Sequence, residues 1–528
     1  MITVGTDELC PVEAAVAGRQ PGVKAAIADE LEPVLGASVA ARDALIATGR
    51  PLYGVTTGFG DRNVNQLDPR DAGELQRNLI SYHLVGSGPS APSEVVRTTM
   101  LIRANCLARG WSGIRADVVR LLLDCLAADI LPVIPERGSV GASGDLVPLC
   151  YLAETLIGEG EARVGDRSVP AGAALAAAGL QPAVLQPKEA LALINGTAFL
   201  SAFAAHALAE AIDLTVVATA CTALAVEALG GNRDHFHPAI HANKPHPGQV
   251  WCARLVRALL DGSALAGDGR RIDAGNGPAT PGGRRLTHPI QDRYSVRCAP
   301  HVVGVLADTT DWVRGWLRVE VNSSNDNPLF DPDTGEVHNG GNFYGGHVGM
   351  AADALKVAVA SVGDLLDRQL ALIVDEKFSN GLPAGLVPVD AEPGLHHGFK
   401  GAQIASSALV AEALSRSGPA TVHSRSTEAH NQDKVSMATI AARDALAVTE
   451  LVRDAAAVQL AALCQAVDLR GADRLGAGSR AVYDLVRRHV SFVDRDRRLD
   501  RELADLSAAI RSGALTAAVA PWQEGTVS

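Results

Sequence analysis

No two cysteines in this chain stand in a Cys-x-x-Cys arrangement. The eight present are scattered at 10, 106, 125, 150, 221, 252, 298 and 464, which supports neither a disulfide framework nor a zinc knuckle. The chain also lacks any block of Lys or Arg and carries a net charge of -12, so no surface for nucleic acid or an anionic membrane is expected. Its opening residues, Met1-Ile-Thr-Val-Gly-Thr-Asp-Glu8, contain neither a basic stretch nor an apolar one, and no secretory leader is read there. The uncharged, mostly apolar run from Leu214 to Val226 is too short to span a bilayer. Internal repeats are absent, and alternating strand patterns are few and short. These absences leave a cytoplasmic protein with neither nucleic-acid nor membrane partners as the expectation.

What is present is helical. Of 528 residues, 47% are hydrophobic and 20% charged, a globular balance that suggests about three domain-sized parts. Apolar residues at Val302, Val305, Leu306, Trp312, Val313, Trp316 and Leu317 form an i, i+3, i+4 stripe. Ala/Leu/Val-rich stretches with few breakers cover roughly 199–230, 347–376, 402–416 and 437–466. The expected fold is therefore mostly α, a bundle of long helices. Polar Gly/Pro/Asn-rich segments separate them, and chemistry concentrates where such loops converge. The stretch 262–290 reads as the most mobile of these loops.

Gly138-Ser-Val-Gly-Ala-Ser-Gly-Asp145 carries the most chemical information. If the Gly144 nitrogen attacks the Ala142 carbonyl carbon, a five-membered ring closes and water leaves. Loss of the Ser143 hydroxyl then creates an exocyclic methylene, giving 4-methylidene-imidazol-5-one (MIO), a strong electrophile. Glycine suits the attacking position because no Cβ obstructs its nitrogen. Ala-Ser-Gly is also expected about once by chance in a chain so rich in Ala and Gly, so alone it reads equally as an ordinary turn. Gly138-x-x-Gly-x-x-Gly144 lacks the partners of a nucleotide loop. Tyr53, opening a glycine-rich turn, is a structural tyrosine or a base whose pKa a positive field would lower. His235, His237, His241 and His246 make a solvated loop rather than a metal site, because Pro238 breaks the helical spacing. Within Gln291-Asp-Arg-Tyr-Ser-Val-Arg297, a helix would place Gln291, Tyr294 and Arg297 near one face. That arrangement suits a carboxylate or an ordinary surface pair. Asn322–Pro328 is too polar for core, and Glu428–Asp433 holds more polar groups than capping explains.

Taken in order, these segments resemble the MIO-dependent aromatic amino-acid ammonia-lyases and 2,3-aminomutases. The resemblance rests on Tyr53-Gly-Val-Thr-Thr-Gly-Phe-Gly60, Gly138–Pro148, Leu193-Ile-Asn-Gly-Thr197, Gln291–Pro300, Asn325-Asp-Asn-Pro-Leu329, Gly340-Gly-Asn-Phe343, Gly398-Phe-Lys-Gly401 and His430–Met437. It implies that Ala142, Ser143 and Gly144 form the MIO, with no external cofactor and no metal. Tyr53 would remove the substrate's β-proton, assisted by the turn ending at Gly60. Asn195, Gln291 and Tyr294 would position the electrophile and the amine, and Arg297 would pair with the α-carboxylate. Asn327, Phe343, Lys400, Glu428, Asn431 and Gln432 would surround the substrate. The implied fold is a fumarase/aspartase-like helical bundle, with an MIO-bearing domain over 1–200, a central long-helix bundle over 201–470 and a C-terminal helical region over 471–528. The implied assembly is a homotetramer with shared active sites.

Selectivity in that family tracks two residues that here are Tyr82-His83. Phenylalanine lyases typically show Phe-Leu, many tyrosine lyases His-Leu, and histidine lyases and some tyrosine aminomutases Ser-His. His83 can hydrogen-bond a phenol or an imidazole. Asn431-Gln432-Asp433 stands where histidine lyases usually have Gln-Glu-Asp, which opposes histidine. Tyr344 and His301 also depart from the usual neighbours. The expected order of substrates is tyrosine, then phenylalanine, then histidine, with ammonia elimination as the reaction. A 2,3-aminomutase is the first alternative, and a non-catalytic paralogue a remote one.

Overall fold

Alanine and leucine favour the helix, and their long stretches here lack interior proline. In the computed structural model these stretches fold as expected. It describes residues 1–523 other than Asp7, His288, Val389, Asp390, Glu392 and Pro393, so the end of the 471–528 region and one residue of the 262–290 segment lie outside the described residues. The helices include α1 (Ala72–His83), α2 (Leu146–Leu156), α3 (Ala198–Leu229), α4 (Ala299–Val321), α5 (Gly346–Val374), α6 (Lys400–Arg416) and α7 (Ala438–Arg470). Strands are short and form small sheets of two or three, among them an antiparallel pairing of Ser87–Ser90 with Pro135–Arg137. The protein is mostly α.

Two compact units are formed. One comprises Met1–Ala209, Val313–Asp353 and Pro419–Leu446, the other Glu210–Trp312, Ala354–Gly418 and Ala447–Ser528. In the second, the carboxylate of Glu210 receives Arg453 and Arg511, and Gln465 donates to Val493 O at 2.9 Å. The 262–290 segment contains a helix, Gly269–Asn276, whose first turn is capped by Asp268.

Two expectations are corrected here. The Leu214–Val226 run belongs to the 32-residue α3, which is long and apolar enough to cross a bilayer. Its apolar window is 89% buried, which marks a core helix. The apolar stripe of α4 is two faces rather than one: Leu306, Val313 and Leu317 are buried, whereas Val305, Trp312 and Trp316 are exposed.

The Asn322–Pro328 segment is also more buried than its polarity suggests. Asn325 and Asp326 are 1% and 2% exposed. Burial of such groups requires partners, and two fully buried cations provide them. Lys188 Nζ donates to Asp326 Oδ2 at 2.5 Å, and Ser112 Oγ donates to the other oxygen at 2.8 Å. Arg103 donates to Asn325 Oδ1 at 2.7 Å and to Asn195 O at 3.0 Å. Asn325 in turn donates to Thr197 Oγ1 at 2.9 Å. The segment is a polar core beneath the Asn195–Thr197 turn.

Replacing Asp326 with Asn is expected to destabilise the protein by about 3–5 kcal/mol, because Lys188 is left as a buried uncompensated cation. Urea unfolding measures the loss, and Lys188→Met with Asp326→Leu should recover most of it.

Candidate active site

The Ala142-Ser143-Gly144 loop leaves the Pro135–Arg137 strand and enters α2. Its backbone is held by one buried carboxylate. Asp145 accepts from Ser139 Oγ at 3.0 Å, from Thr439 Oγ1 in α7 at 2.6 Å and from the Leu200 N–H at 2.8 Å. The last is in the first turn of α3, where the helix dipole favours negative charge. Burial nevertheless raises the Asp145 pKa to about 6, against the lowering influence of these donors. Ser436 Oγ donates to Gly141 O at 2.7 Å, and Met437 N to Val140 O at 2.9 Å. These bonds commit the loop to the protein, so it is no phosphate cradle.

Gly144 has φ +68°, and a Cβ there would overlap the carbonyl of Gly196. The two glycines pair as a bridge, and the Asp145 N–H donates to Gly196 O at 2.8 Å. Only a glycine tolerates both the dihedral and the approach. Ser143 is held at both ends. Its carbonyl accepts from Asn195 Nδ2 at 2.8 Å, and its hydroxyl accepts from Gln432 Nε2 at 3.3 Å. Asn195 Oδ1 accepts the Asn327 N–H at 2.8 Å, and Asn327 Oδ1 accepts the Gly340 N–H at 2.7 Å. A rigid, glycine-flanked loop with donors on the serine carbonyl and hydroxyl fits the dehydrating cyclisation that yields MIO.

A cavity of about 490 Å³ opens over Ser143, within the range of small-molecule sites. It is lined by Tyr53, Gly60, Tyr82, His83, Ala142, Ser143, Gly144, Asn195, Asn327, Phe343, Glu428, Asn431 and Gln432. On one side, the Tyr53 phenol oxygen accepts the Gly60 N–H at 3.0 Å. The pKa of Tyr53 is raised, first by burial and further by Glu428; the Gly60 N–H opposes the rise. Gly60 has φ +57°, and a Cβ there would overlap the Glu428 carboxylate.

Glu428, Ala429 and His430 are consecutive left-handed residues, with φ of +54°, +50° and +65°. This conformation costs about 1–2 kcal/mol per residue. It persists because Thr427 and Gln432 pair across the turn and Asn431 Nδ2 ties back to Glu428 Oε2 at 3.1 Å. The strained turn aims Glu428, Asn431 and Gln432 into one cavity.

The other wall is the end of α1. His83 Nδ1 lies 2.9 Å from Leu79 O, so Nδ1 carries the proton and Nε2 is left as an acceptor. Burial lowers the His83 pKa, which keeps the ring neutral at pH 7, although the Leu79 bond and Glu428 oppose this. Tyr82 stacks on it with ring centroids 4.2 Å apart.

Gln291, Tyr294, Arg297 and Lys400 belong to the second unit and do not line this cavity. Gln291 lies ahead of the helix, which runs only over Tyr294–Arg297, so the shared helical face is corrected for that residue. Arg297 sits over the Tyr294 ring at 4.6 Å, and Tyr294 is 72% exposed. Lys400 opens α6 and is exposed. The histidines are structural pins. His235 Nε2 accepts the Asp292 N–H at 3.1 Å, and His241 Nδ1 lies 3.0 Å from Gln249 Nε2. No group of metal-ligating side chains forms among the described residues.

Sequence reasoning misses Gln76, Asp145 and Lys434. Gln76 is fully buried. It accepts from Ala190 N and Leu191 N at 3.1 and 3.3 Å and donates to Gly54 O at 3.3 Å. It thereby joins the Tyr53 turn, the His83 helix and the helix that ends at Asn195. A polar residue on the apolar side of an amphipathic helix is the one signal that points to it.

A mostly helical fold around a cyclisable tripeptide, a tyrosine and an amide-lined cavity suits a carbon–nitrogen lyase. The chain belongs to the aromatic amino acid lyase family, whose model matches residues 11–488. It is 41% identical to histidine ammonia-lyase of Gloeobacter violaceus over 478 residues, 90% of this chain and 89% of the relative. It is 40% identical to histidine ammonia-lyase of Myxococcus xanthus over 494 residues, 93% and 94% of the two chains. The structure of tyrosine aminomutase from Streptomyces globisporus superposes with a TM-score of 0.93 at 34% identity, covering 100% of each chain.

Gln76→Leu strands the Gly54 carbonyl and two buried N–H groups. It should cost about 1–3 kcal/mol in urea unfolding and lower kcat/KM by roughly a hundredfold through misplacement of the catalytic groups.

Proposed function

We propose that the protein eliminates ammonia from an aromatic L-amino acid with a polar ring, and that the substrate is L-histidine, giving urocanate. The observation that carries the polar ring is the neutral His83, whose free Nε2 accepts a hydrogen bond in the cavity. An imidazole N–H and a phenol O–H both satisfy that acceptor, so the pocket alone does not rank histidine against tyrosine. The histidine ammonia-lyases at 40–41% identity favour histidine, against the tyrosine-first order read from the sequence. Tyrosine, with ammonia elimination or a 2,3-amino shift, is the second reading. It is favoured by Gln432, an amide where histidine lyases usually carry a carboxylate, and by the tyrosine aminomutase structure.

The MIO formed from Ala142, Ser143 and Gly144 supplies an electrophile for the substrate amine, which makes nitrogen a better leaving group. Asn195 and Gln432 hold the Ser143 carbonyl and hydroxyl during its formation. Tyr53, as the phenolate that the Gly60 N–H stabilises, takes the β-proton and becomes a neutral phenol. Glu428 accepts hydrogen bonds from the amine, and Asn327, Phe343, Tyr82 and Asn431 shape the walls around the ring and backbone. Arg297 clamps the α-carboxylate, with Gln291, Tyr294 and Lys400 beside it, supplied by another copy in a homotetramer. The exposed Val305, Trp312, Trp316 and Val319 of α4 supply an apolar stripe for that assembly.

The intact protein should weigh two waters less than its translated chain, and Ser143→Ala should restore one full-length mass and abolish turnover without altering assembly. An unmodified mass for the wild type would sink the MIO reading. Incubation with histidine, tyrosine and phenylalanine separately, followed by ultraviolet absorbance and chromatography, tests the substrate. Coumarate or β-tyrosine as the main product would promote the second reading.

The pH profile carries signs. Protonation of His83 removes the acceptor, and its pKa lies below the ordinary 6.5, so kcat/KM should fall only on the acid side of that value. Tyr53 titrates above the ordinary 10.0, so kcat/KM should rise with pH through the alkaline range. A His83→Gln variant should lose the acid limb while keeping the alkaline one.

A further inference from the structure

Among the described residues, Glu428 and Lys434 are the Asp, Glu, Lys or Arg side chains that line the cavity. They are contributed by one short segment. Glu428 faces Gly60 and raises the Tyr53 pKa. Lys434 precedes Val435, which is fully buried against Ala142 and Met437. The backbone around Lys434 is anchored on both sides, by Gln432 N donating to Thr427 O at 3.3 Å before it and Val435 N to Ser424 Oγ at 3.0 Å after it. Lys434 is exposed and lines the same cavity as the tripeptide, on a backbone fixed by these bonds. No carboxylate among the described residues pairs with it. Asp433 is adjacent in sequence but does not line the cavity.

An amino acid at neutral pH is a zwitterion. A cavity lined by one carboxylate, which lies against Gly60, and one ammonium matches its two charges. We infer that Lys434 binds the substrate's α-carboxylate, a second cation for that group besides Arg297, and so selects free amino acids. The inference rests on the amino-acid lyase reading above and deepens it. Because the ammonium is partly solvated, its effect is on binding more than on chemistry: it touches the carboxylate equally before and during elimination, which is uniform binding.

The test compares inhibitors that carry only one of the two charges, on the whole assembled enzyme. Urocanate and coumarate have the carboxylate without the amine; histamine and tyramine have the amine without the carboxylate. Lys434→Met should raise Ki for the acids about tenfold, the scale of a partly solvated charge-assisted bond. It should leave Ki for the amines within about twofold, and KM should rise while kcat changes little. Lys434→Arg should restore acid binding. Unchanged acid affinity overturns the assignment, as does an equal loss for acids and amines, which would mean a general disturbance of the pocket. Failure of the lyase reading looks different: the wild type would show no loss of two waters and no turnover.

Discussion

One buried carboxylate holds the Ala142-Ser143-Gly144 loop, the proposed source of the electrophile, in place. Asp145 binds its own loop through Ser139, the first turn of α3 through Leu200, and the start of α7 through Thr439. Two long helices and a tight loop thus meet at one side chain. MIO formation requires the Gly144 nitrogen to approach the Ala142 carbonyl carbon, which an unrestrained loop would visit rarely. The Gly144–Gly196 contact supplies compression from one side, and the Asp145 bonds prevent relief by displacement of the loop. The raised pKa of Asp145 shows that burial outweighs its three donors. The protein accepts that cost to keep the backbone fixed.

The two halves of the cavity are stabilised by different means. Beneath Asn195 lies a polar core in which Arg103, Lys188, Asn325 and Asp326 satisfy one another. Such a network is rigid because each member loses a partner if any one moves. Above Ser143 lies the Glu428–His430 turn, which stores backbone strain and is held by its own cross-turn bonds. Gln432 links the two, accepting from Thr427 at 3.1 Å and donating to the Ser143 hydroxyl. The serine that must lose its hydroxyl is thus gripped between a rigid floor and a strained lid.

The long helices are legible from sequence because their signal is local: composition and the absence of breakers suffice. The tripeptide is legible because its chemistry needs three adjacent residues. Asp145 is not, since two of its donors lie 55 and 294 positions away, and adjacency reveals neither. Gln76 and Lys434 escape for the same reason. Asn322–Pro328 is misjudged because polarity is read as exposure, whereas Lys188 and Arg103, distant in sequence, make its burial possible. The substrate is the least legible feature. In the proposed reading His83 speaks for a polar ring, while Gln432 and the histidine ammonia-lyase relatives favour different ones.

The electrostatics of Tyr53 set a requirement on the complete enzyme. In the proposed mechanism Tyr53 is a base and must lose its proton, yet burial and, less, Glu428 raise its pKa, and the Gly60 N–H opposes them. An added cation close to the phenol would lower its pKa, and binding of the substrate ammonium next to Glu428 would do so directly by neutralising the charge that raises it. Burial is the larger of the two causes and persists when the amine is bound, so neutralising Glu428 would ease the rise without removing it. The same carboxylate explains why Gly60 lacks a side chain: its oxygens occupy the space a Cβ would take.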